Sequence, residues 1–590
     1  MLVSRTIGSR FALLCVFAVG GAYAHGVPHQ TNTATPVIVG GLPYSVAVSR
    51  YDAQQSFVRP AVHSFVAGEH NGQWVIIGGL TNGLHGFDID NDTIPERKQN
   101  ADVWVIDPVA KTSWSRSLVP GEAGSGLTSE QLLSIYTSNA QFEQVGDRLY
   151  VTGGFGDDDV LDPASRNTFD FLTAFDLPGL VDWAKGGSGQ AVDHIRQLQD
   201  DMFKVTGGEM VAIDGQMHLV FGHDFNQAYA GNSINGDYTK QVRTFTIQDD
   251  GVQLAITDAK ASTPQEYYRR RDLNVFPTLR SNNGELEQGV TVLSGVFTNT
   301  RGAWTVPVEI DADGNPVQRD NGLDPLNTGG VLDQDSTVFK QGMNNYHSAK
   351  LGMFSEASGD MQELLFGGIT LQQYDEMTGS FVTDNGLPNT NQISSVVRRA
   401  NGEYEQHYLG AFPEIYTDEA TPQLLRFGSN AEFFAAEGTP TYSNGVIAFD
   451  LLPYGDSTLG YIFGGVIANA PHVFMNPAAL SSASGEIFAV TISIQAGDYN
   501  RDGWIDAADY TVWRDNLGRQ VAAGTSADGD GDGYVTAADL DTWRAGFAAT
   551  PVIAASVPEP HGLWLLVSAI GTAIACWGSS KGRSSLFGPS

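Results

Sequence analysis

A short apolar run that ends in glycine returns six times along the chain. The copies are VIIGGL from Val75, YVTGGF from Tyr150, LVFGHD from Leu219, TVLSGV from Thr291, LLFGGI from Leu364 and YIFGGV from Tyr461. Their starts lie 75, 69, 72, 73 and 97 residues apart. Self-similarity at a near-fixed spacing is the signature of an array or a propeller. Ahead of each run stands another apolar stretch, joined to it in the first three copies by Asn71-Gly72, Gly146-Asp147 and Asp214-Gly215. Such pairs tolerate positive φ and predict tight hairpins. After the run, a polar loop leads to a third strand, expected at 102–106, 242–247, 304–310, 393–398 and 486–494, and a weaker fourth at 113–118 and 252–255. Each repeat therefore reads as a four-stranded antiparallel sheet. One such sheet alone cannot bury both faces, so the copies must pack on each other in a ring.

The pattern also indicates how the ring closes. The sixth copy has strands expected at 446–452, 461–466 and 486–494 but no fourth. Residues 44–51 (YSVAVSRY) precede the first copy and supply it, which removes an open sheet edge. The predicted fold class is all-β, a six-bladed β-propeller. Seven blades is the alternative count, because the 97-residue step has room for one more; that step is read as an insertion at 404–440. Two packed β-sandwiches are the competing architecture. The glycine pairs ending the second strands resemble those of kelch-type β-propellers, over about residues 40–495. The family's downstream aromatic pair is kept only as Trp104 and Trp114, and the third and fourth copies carry Gly222-His223 and Ser294-Gly295 in place of Gly-Gly.

The 590 residues carry a formal net charge of −34, which argues against nucleic acid or anionic lipid as partner. Residues 1–24 read as a Sec signal: Arg5 and Arg10, an apolar run at 11–21, then Ala22-Tyr23-Ala24 for cleavage. The two cysteines, Cys15 and Cys576, lie in that signal and in a C-terminal apolar stretch. The exported body therefore has no disulfide, and it lacks the Cys–Tyr crosslink of copper radical oxidases.

Candidate ligand chemistry in the repeats is sparse. Arg269-Arg270-Arg271 stand together in an acidic chain. They read either as a bidentate clamp for a carboxylate such as a uronic acid or as ion pairs between blades. Asn345 and His347 fall at the matching point of the next copy, and His223-Asp224 follow the third glycine run. Together these residues outline a candidate ligand mouth. A lone His at such a strand end is also common as a hydrogen-bonded structural residue.

The most specific motif is duplicated at 498–539. The first loop places Asp498, Asn500, Asp502, Trp504, Asp506 and Asp509 at positions 1, 3, 5, 7, 9 and 12; the second places Asp528, Asp530, Asp532, Tyr534, Thr536 and Asp539 there. Gly503 and Gly533 occupy position 6. Side-chain oxygens at 1, 3, 5, 9 and 12 with the carbonyl at 7 are the donor set of a Ca²⁺ loop. Two Ca²⁺ sites are expected, with folding of this stretch coupled to the ion. A short helix should follow each loop, with Trp513 matching Trp543. The duplicated loop and helix, closed by Asp, resemble a type I dockerin, an α-helical EF-hand-like module at 496–548. That resemblance implies Ca²⁺ and docking to a cohesin-like partner, although Ala507-Ala508 and Ala537-Ala538 stand where cellulosomal dockerins place Ser/Thr. A structural Ca²⁺ stalk is the other reading.

Residues 549–561 read as a linker. Val557-Pro558-Glu559-Pro560, an apolar run at 562–578, and Lys581 with Arg583 then follow in order. This tail (557–586) resembles a PEP-CTERM sorting signal. It implies a transmembrane helix at 562–578, processing by an exosortase-type enzyme, and membrane tethering before cleavage, with the membrane engaged through the tail alone. The resulting expectation is an exported, surface-associated calcium-binding propeller that binds a surface glycan or a protein. The alternative is a polysaccharide hydrolase or lyase working in the propeller mouth, for which paired carboxylates at roughly 5–10 Å would be the mark. No compact catalytic constellation is visible, so the reading leans to a binding protein.

Overall fold

The computed structural model describes residues 34–84, 98–157, 165–225, 237–298, 303–318, 338–343, 347–384, 386–473 and 480–549. The predicted signal, the Val557–Pro560 motif, the apolar run at 562–578 and Asn345 lie outside these residues. Among the described residues, no helix is long and apolar enough to cross a membrane.

The chain folds as an all-β propeller. Four blades follow in sequence order, each of four antiparallel strands. The first is Val66–His70, Gln73–Ile77, Asp102–Asp107 and Thr112–Ser117. The second is Gln141–Val145, Arg148–Thr152, Phe171–Asp176 and Ile195–Gln199. The third is Glu209–Ile213, Gln216–Val220, Val242–Asp249 and Leu254–Ala261. The fourth is Asn274–Asn282, Glu285–Leu293, Val308–Ile310 and Pro316–Gln318. The fifth four-stranded blade closes the ring. In it Tyr44–Arg50 pairs antiparallel with Ile487–Ile494, Tyr44 opposite Ile494 and Arg50 opposite Phe488, beside Gly455–Gly464 and Ala431–Ala435.

The count of four-stranded blades is thus five, not six or seven. The glycine run at Leu364 belongs to a sheet of another kind. Its strands Ala349–Phe354, Met361–Ile369, Asn389–Arg398 and Tyr404–Ala411 gain two parallel neighbours, Val37–Val39 on one edge and Ile447–Ala448 on the other, making six strands. Residues 446–452 were expected as the innermost strand of the closing blade. Ile447 instead pairs with Met353, and Phe449–Leu451 turns into a 3₁₀ helix. Ala431–Ala435, inside the expected insertion, takes the innermost place.

The core consists of apolar seams between consecutive sheets. Phe175, Leu177 and Trp183 pack against Val75 and Val103. Phe203 and Phe245 pack with Leu172, Val242 with Val275 and Val292, and Phe276 with Leu365 and Val396. Phe366 and Leu364 meet Ile462 and Val490. The last seam joins the closing blade to the first, where Trp74 stacks on Phe434 with ring centroids 4.4 Å apart.

The paired turn at the end of each second strand explains the glycine motif. Two successive residues have positive φ at Gly78-Gly79, Gly153-Gly154, Phe221-Gly222, Ser294-Gly295, Gly367-Gly368 and Gly464-Gly465. The third pair is therefore Phe221-Gly222 and not Gly222-His223. The first position tolerates a side chain at φ +52° or +59°. The second is glycine throughout; at Gly79 a Cβ would lie 2.6 Å from the His63 carbonyl oxygen and 2.7 Å from the Phe65 Cβ.

Candidate functional site

The axis is built from backbone. Just before each innermost strand one residue takes positive φ: Ser64, Asn139, Gly207, Asp272, His347 and Asn430. These residues link around the axis. Asn139 N–H donates to the Ser64 carbonyl (3.2 Å), Gly207 N–H to Asn139 (3.0 Å) and Asp272 N–H to Gly207 (2.8 Å). Asn430 N–H donates to His347 (2.8 Å) and Ser64 N–H to Asn430 (3.3 Å). The left-handed turn aims each N–H at its neighbour and leaves the side chains free to face the channel. Asn, Asp and Gly are the residues that reach this region at least cost.

Above this girdle lies a cavity of about 110 Å³. At about 30 Å³ per water, that is room for about four waters or a chemical group of that size. Its floor is polar, with His63, Asn139, Thr206, Asp272, His347 and Asn430; its collar is apolar, with Phe155, Phe225, Phe297, Leu84, Ile369 and Leu387. Arg271 and His223 bridge the two zones. Arg271 Nη1 lies 2.7 Å from His223 Nε2. Guanidinium only donates, so Nε2 accepts and the proton sits on Nδ1, which faces the Thr206 carbonyl at 3.3 Å. Burial, reinforced by the Arg271 charge, holds His223 well below its ordinary pKa and so neutral. The guanidinium lies 5.3 Å from the Phe297 ring centroid, and its Nε is 3.5 Å from Asp272 Oδ2. Burial pushes Asp272 up, opposed by Arg271. Burial, with Lys350 and His63, pushes His347 down to about 3.

The arginine run therefore divides. Arg271 reaches the cavity, but Arg269 and Arg270 do not line it. Arg269 donates to the Phe297 carbonyl and sits 4.0 Å over the Tyr238 ring. Arg270, fully buried, donates to the carbonyls of Ser294 (3.1 Å) and Val306 (2.8 Å) and to Gln318 Oε1 (3.2 Å). Neither role is the inter-blade ion pair offered as the alternative. His223 and His347 line the cavity, whereas Asp224 does not and pairs with Lys204 at 3.6 Å. Ser64, Asn139, Asp272 and Asn430 were missed. Aligning the residue just ahead of each first strand would have found them.

Below the girdle the channel is carboxylate-rich. Glu209 and Glu432 line it, and Lys350 pairs with Glu209 at 2.8 Å. Burial, opposed by Lys350, raises Glu432 to about 7. Nearby Glu143 is raised to about 8, chiefly by burial.

The duplicated loops are a second candidate site. Helices Ala507–Asn516 and Ala537–Ala549 follow them. Gly503 and Gly533 make the sharp turn at φ +91° and +85°. In each loop the closing Asp is a hub. Asp509 accepts from the N–H groups of Tyr499, Asn500 and Asp506, and Asp539 from those of Gly529, Asp530 and Thr536. Asp506 and Thr536 at position 9 cap the helices through Ala508 and Ala538 N–H. Donor oxygens of Asp528, Asp530 and Asp539 fall within 4.8 Å of one another. Burial raises Asp498 to about 6 and also raises Asp509. Hard oxygen donors converging around a glycine turn fit a Ca²⁺-sized ion, which would relieve that desolvation. The matched tryptophans tie the halves reciprocally. Trp513 Nε1 donates to the Thr536 carbonyl (2.7 Å) and Trp543 Nε1 to the Asp506 carbonyl (2.8 Å).

No protein-family model matches this chain, and no curated protein matches it. Among solved structures, one described as the structure of YjhT is similar with a TM-score of 0.34 and 11% identity, over 73% of this chain and 94% of that one.

Proposed function

We propose that this is a Sec-exported, surface-associated propeller whose axial cavity takes the carboxylate end of a polar ligand, such as that of an acidic sugar unit. The observation behind this reading is the setting of Arg271. It lines a cavity of about 110 Å³, hydrogen-bonds a neutral His223, lies 3.5 Å from Asp272 and rests on Phe297. Asp272 is the one carboxylate among the described lining residues. The facing pair that glycoside hydrolysis uses is not among them. The paired turns support the kelch resemblance over 40–495; the repeated donor spacing at 498–539 is the basis for two Ca²⁺ sites in a dockerin-like module, and the second loop also gathers three carboxylates. The ordered tail motif supports processing by an exosortase-type enzyme and tethering before cleavage.

The alternative, a carbohydrate-active hydrolase or lyase, draws on Glu432 and Glu143, which retain a proton near neutral pH and so could serve as acids. Calorimetric titration with uronic acids and their neutral counterparts, in Ca²⁺, separates the readings. Binding should prefer the acids and weaken at least about tenfold in Arg271→Met, as for loss of one charge-assisted pair. Equal binding of acidic and neutral sugars refutes the carboxylate reading. Turnover that Glu432→Gln abolishes would favour the enzyme.

A further inference from the structure

The duplicated module does not hang from the propeller as an independent stalk. Its first loop follows the closing strand Ile487–Ile494 directly, at the end where three strands of the seam meet. Tyr44 opens the N-terminal strand opposite Ile494, and Gly455 opens the strand on the other side of Ile494. Three contacts fix the loop there. Gly503, at position 6, sits against the backbone of Gly41 and Leu42, just ahead of the N-terminal strand, with room for a Cβ only at 3.3 Å. Arg501, at position 4, is 8% exposed. Its guanidinium donates to the carbonyls of Phe449 and Leu452 (2.6 Å for the latter) and lies between the Phe449 and Tyr454 rings at 5.0 and 5.1 Å. Phe449 in turn packs on Tyr44, ring centroids 5.6 Å apart. Tyr454 reaches both loops. Its N–H donates to the Gly524 carbonyl (2.9 Å), and its hydroxyl lies near the carbonyls of Ser526 and Asp498. Gly524 N–H donates to the carboxylate of Asp528, the first position of the second loop.

We infer that residues 498–549 are a calcium-dependent clasp on the propeller's own seam. The inference rests on the Ca²⁺ reading of the loops. The residues that touch the propeller are interleaved with the ligand positions: Arg501 and Gly503 stand between Asp498, Asn500, Asp502 and Trp504. An ion that fixes the loop therefore also fixes the guanidinium on the Phe449 and Leu452 carbonyls and the glycine against Leu42. Peeling the N-terminal strand from Ile487–Ile494 carries Leu42 away from Gly503 and Tyr44 away from Phe449, which Arg501 holds. Ion release and seam opening thus share one free-energy term. The module's partner in this role is the chain itself, not a second protein.

Hydrogen exchange on the full chain, with calcium or with chelator, tests the clasp, with calorimetry counting bound ions. At free calcium about one hundred times its Kd, an opening that releases the ion becomes about a hundredfold rarer. Amide exchange in Tyr44–Arg50 and Ile487–Ile494 should slow by that factor. Arg501→Met keeps the stem between the two rings and removes the donors. It should bind calcium with unchanged stoichiometry and lose the seam protection. If Arg501→Met does not fold, the wild-type comparison decides alone. Calcium that binds yet slows exchange only within 498–549 overturns the clasp and leaves the Ca²⁺ sites standing. A chain that takes up no calcium overturns both.

Discussion

Glu363 offers a stringent test of how the sheets are held together. It lies fully buried in Met361–Ile369, facing the neighbouring blade. Two arginines are close, but both are spent on Glu309, which pairs with Arg280 Nη2 and Arg398 Nε at 2.9 Å each and accepts from the Tyr404 hydroxyl at 2.8 Å. Glu363 is left with the Thr291 hydroxyl as its polar neighbour, and burial raises its pKa from 4.5 to about 8. The folded state therefore holds a proton that the unfolded chain releases near pH 4.5. The stability this group contributes is full below that pH and is lost as pH rises through about 8. At 1.36 kcal/mol per pH unit, the loss approaches a ceiling of about 5 kcal/mol. Glu363→Gln keeps the shape and cannot ionise. Its Tm should match wild type near pH 5 and exceed it by several degrees at pH 9.5, by near-UV circular dichroism. Glu143 and Glu432 titrate in both chains, so the difference isolates Glu363. A Tm difference that stays flat from pH 5 to 9.5 would refute the reasoning.

Gly79→Ala should lower stability by about 3 kcal/mol or more, because positive φ and collision with His63 and Phe65 add together; Gly146→Ala, equally left-handed but with nothing within 4 Å, should lose only about 1–2 kcal/mol. Urea midpoints of the two variants make the comparison, and equal losses would contradict it. Trp74→Ala should cost about 3–5 kcal/mol, since the ring is 1% exposed and stacked across the last seam on Phe434. A midpoint within 1 kcal/mol of wild type, on the same scale, would mean that seam is not a packed core.

The propeller was legible because a short apolar run recurs and ends each time in a turn that demands positive φ, which glycine advertises. The partner of Tyr44–Arg50 was legible for the same reason: an orphan apolar strand before the first repeat matched a missing strand in the last. The two edge strands of the six-stranded sheet were not. Val37–Val39 and Ile447–Ala448 are too short to carry a pattern, and their pairing is parallel, so no hairpin marks it. Burial is also hard to read from charge: Asp157, one of three consecutive aspartates, is 4% exposed and paired with Arg166. The three consecutive arginines looked equivalent, yet direction separates them: one faces the channel and two satisfy buried carbonyls. Cavity residues such as Asn139 and Asp272 carry a backbone signal, and conformation at a single residue is nearly silent in composition.

The strand Tyr44–Arg50 has a consequence for synthesis. A ribosome makes it early and its mate, Ile487–Ile494, more than four hundred residues later. Throughout that interval both apolar ends of the growing sheet array stay available to other chains. A nascent or truncated product that stops short of residue 487 keeps two sticky edges, so the hazard for this protein is greatest in the seconds before its last strand emerges.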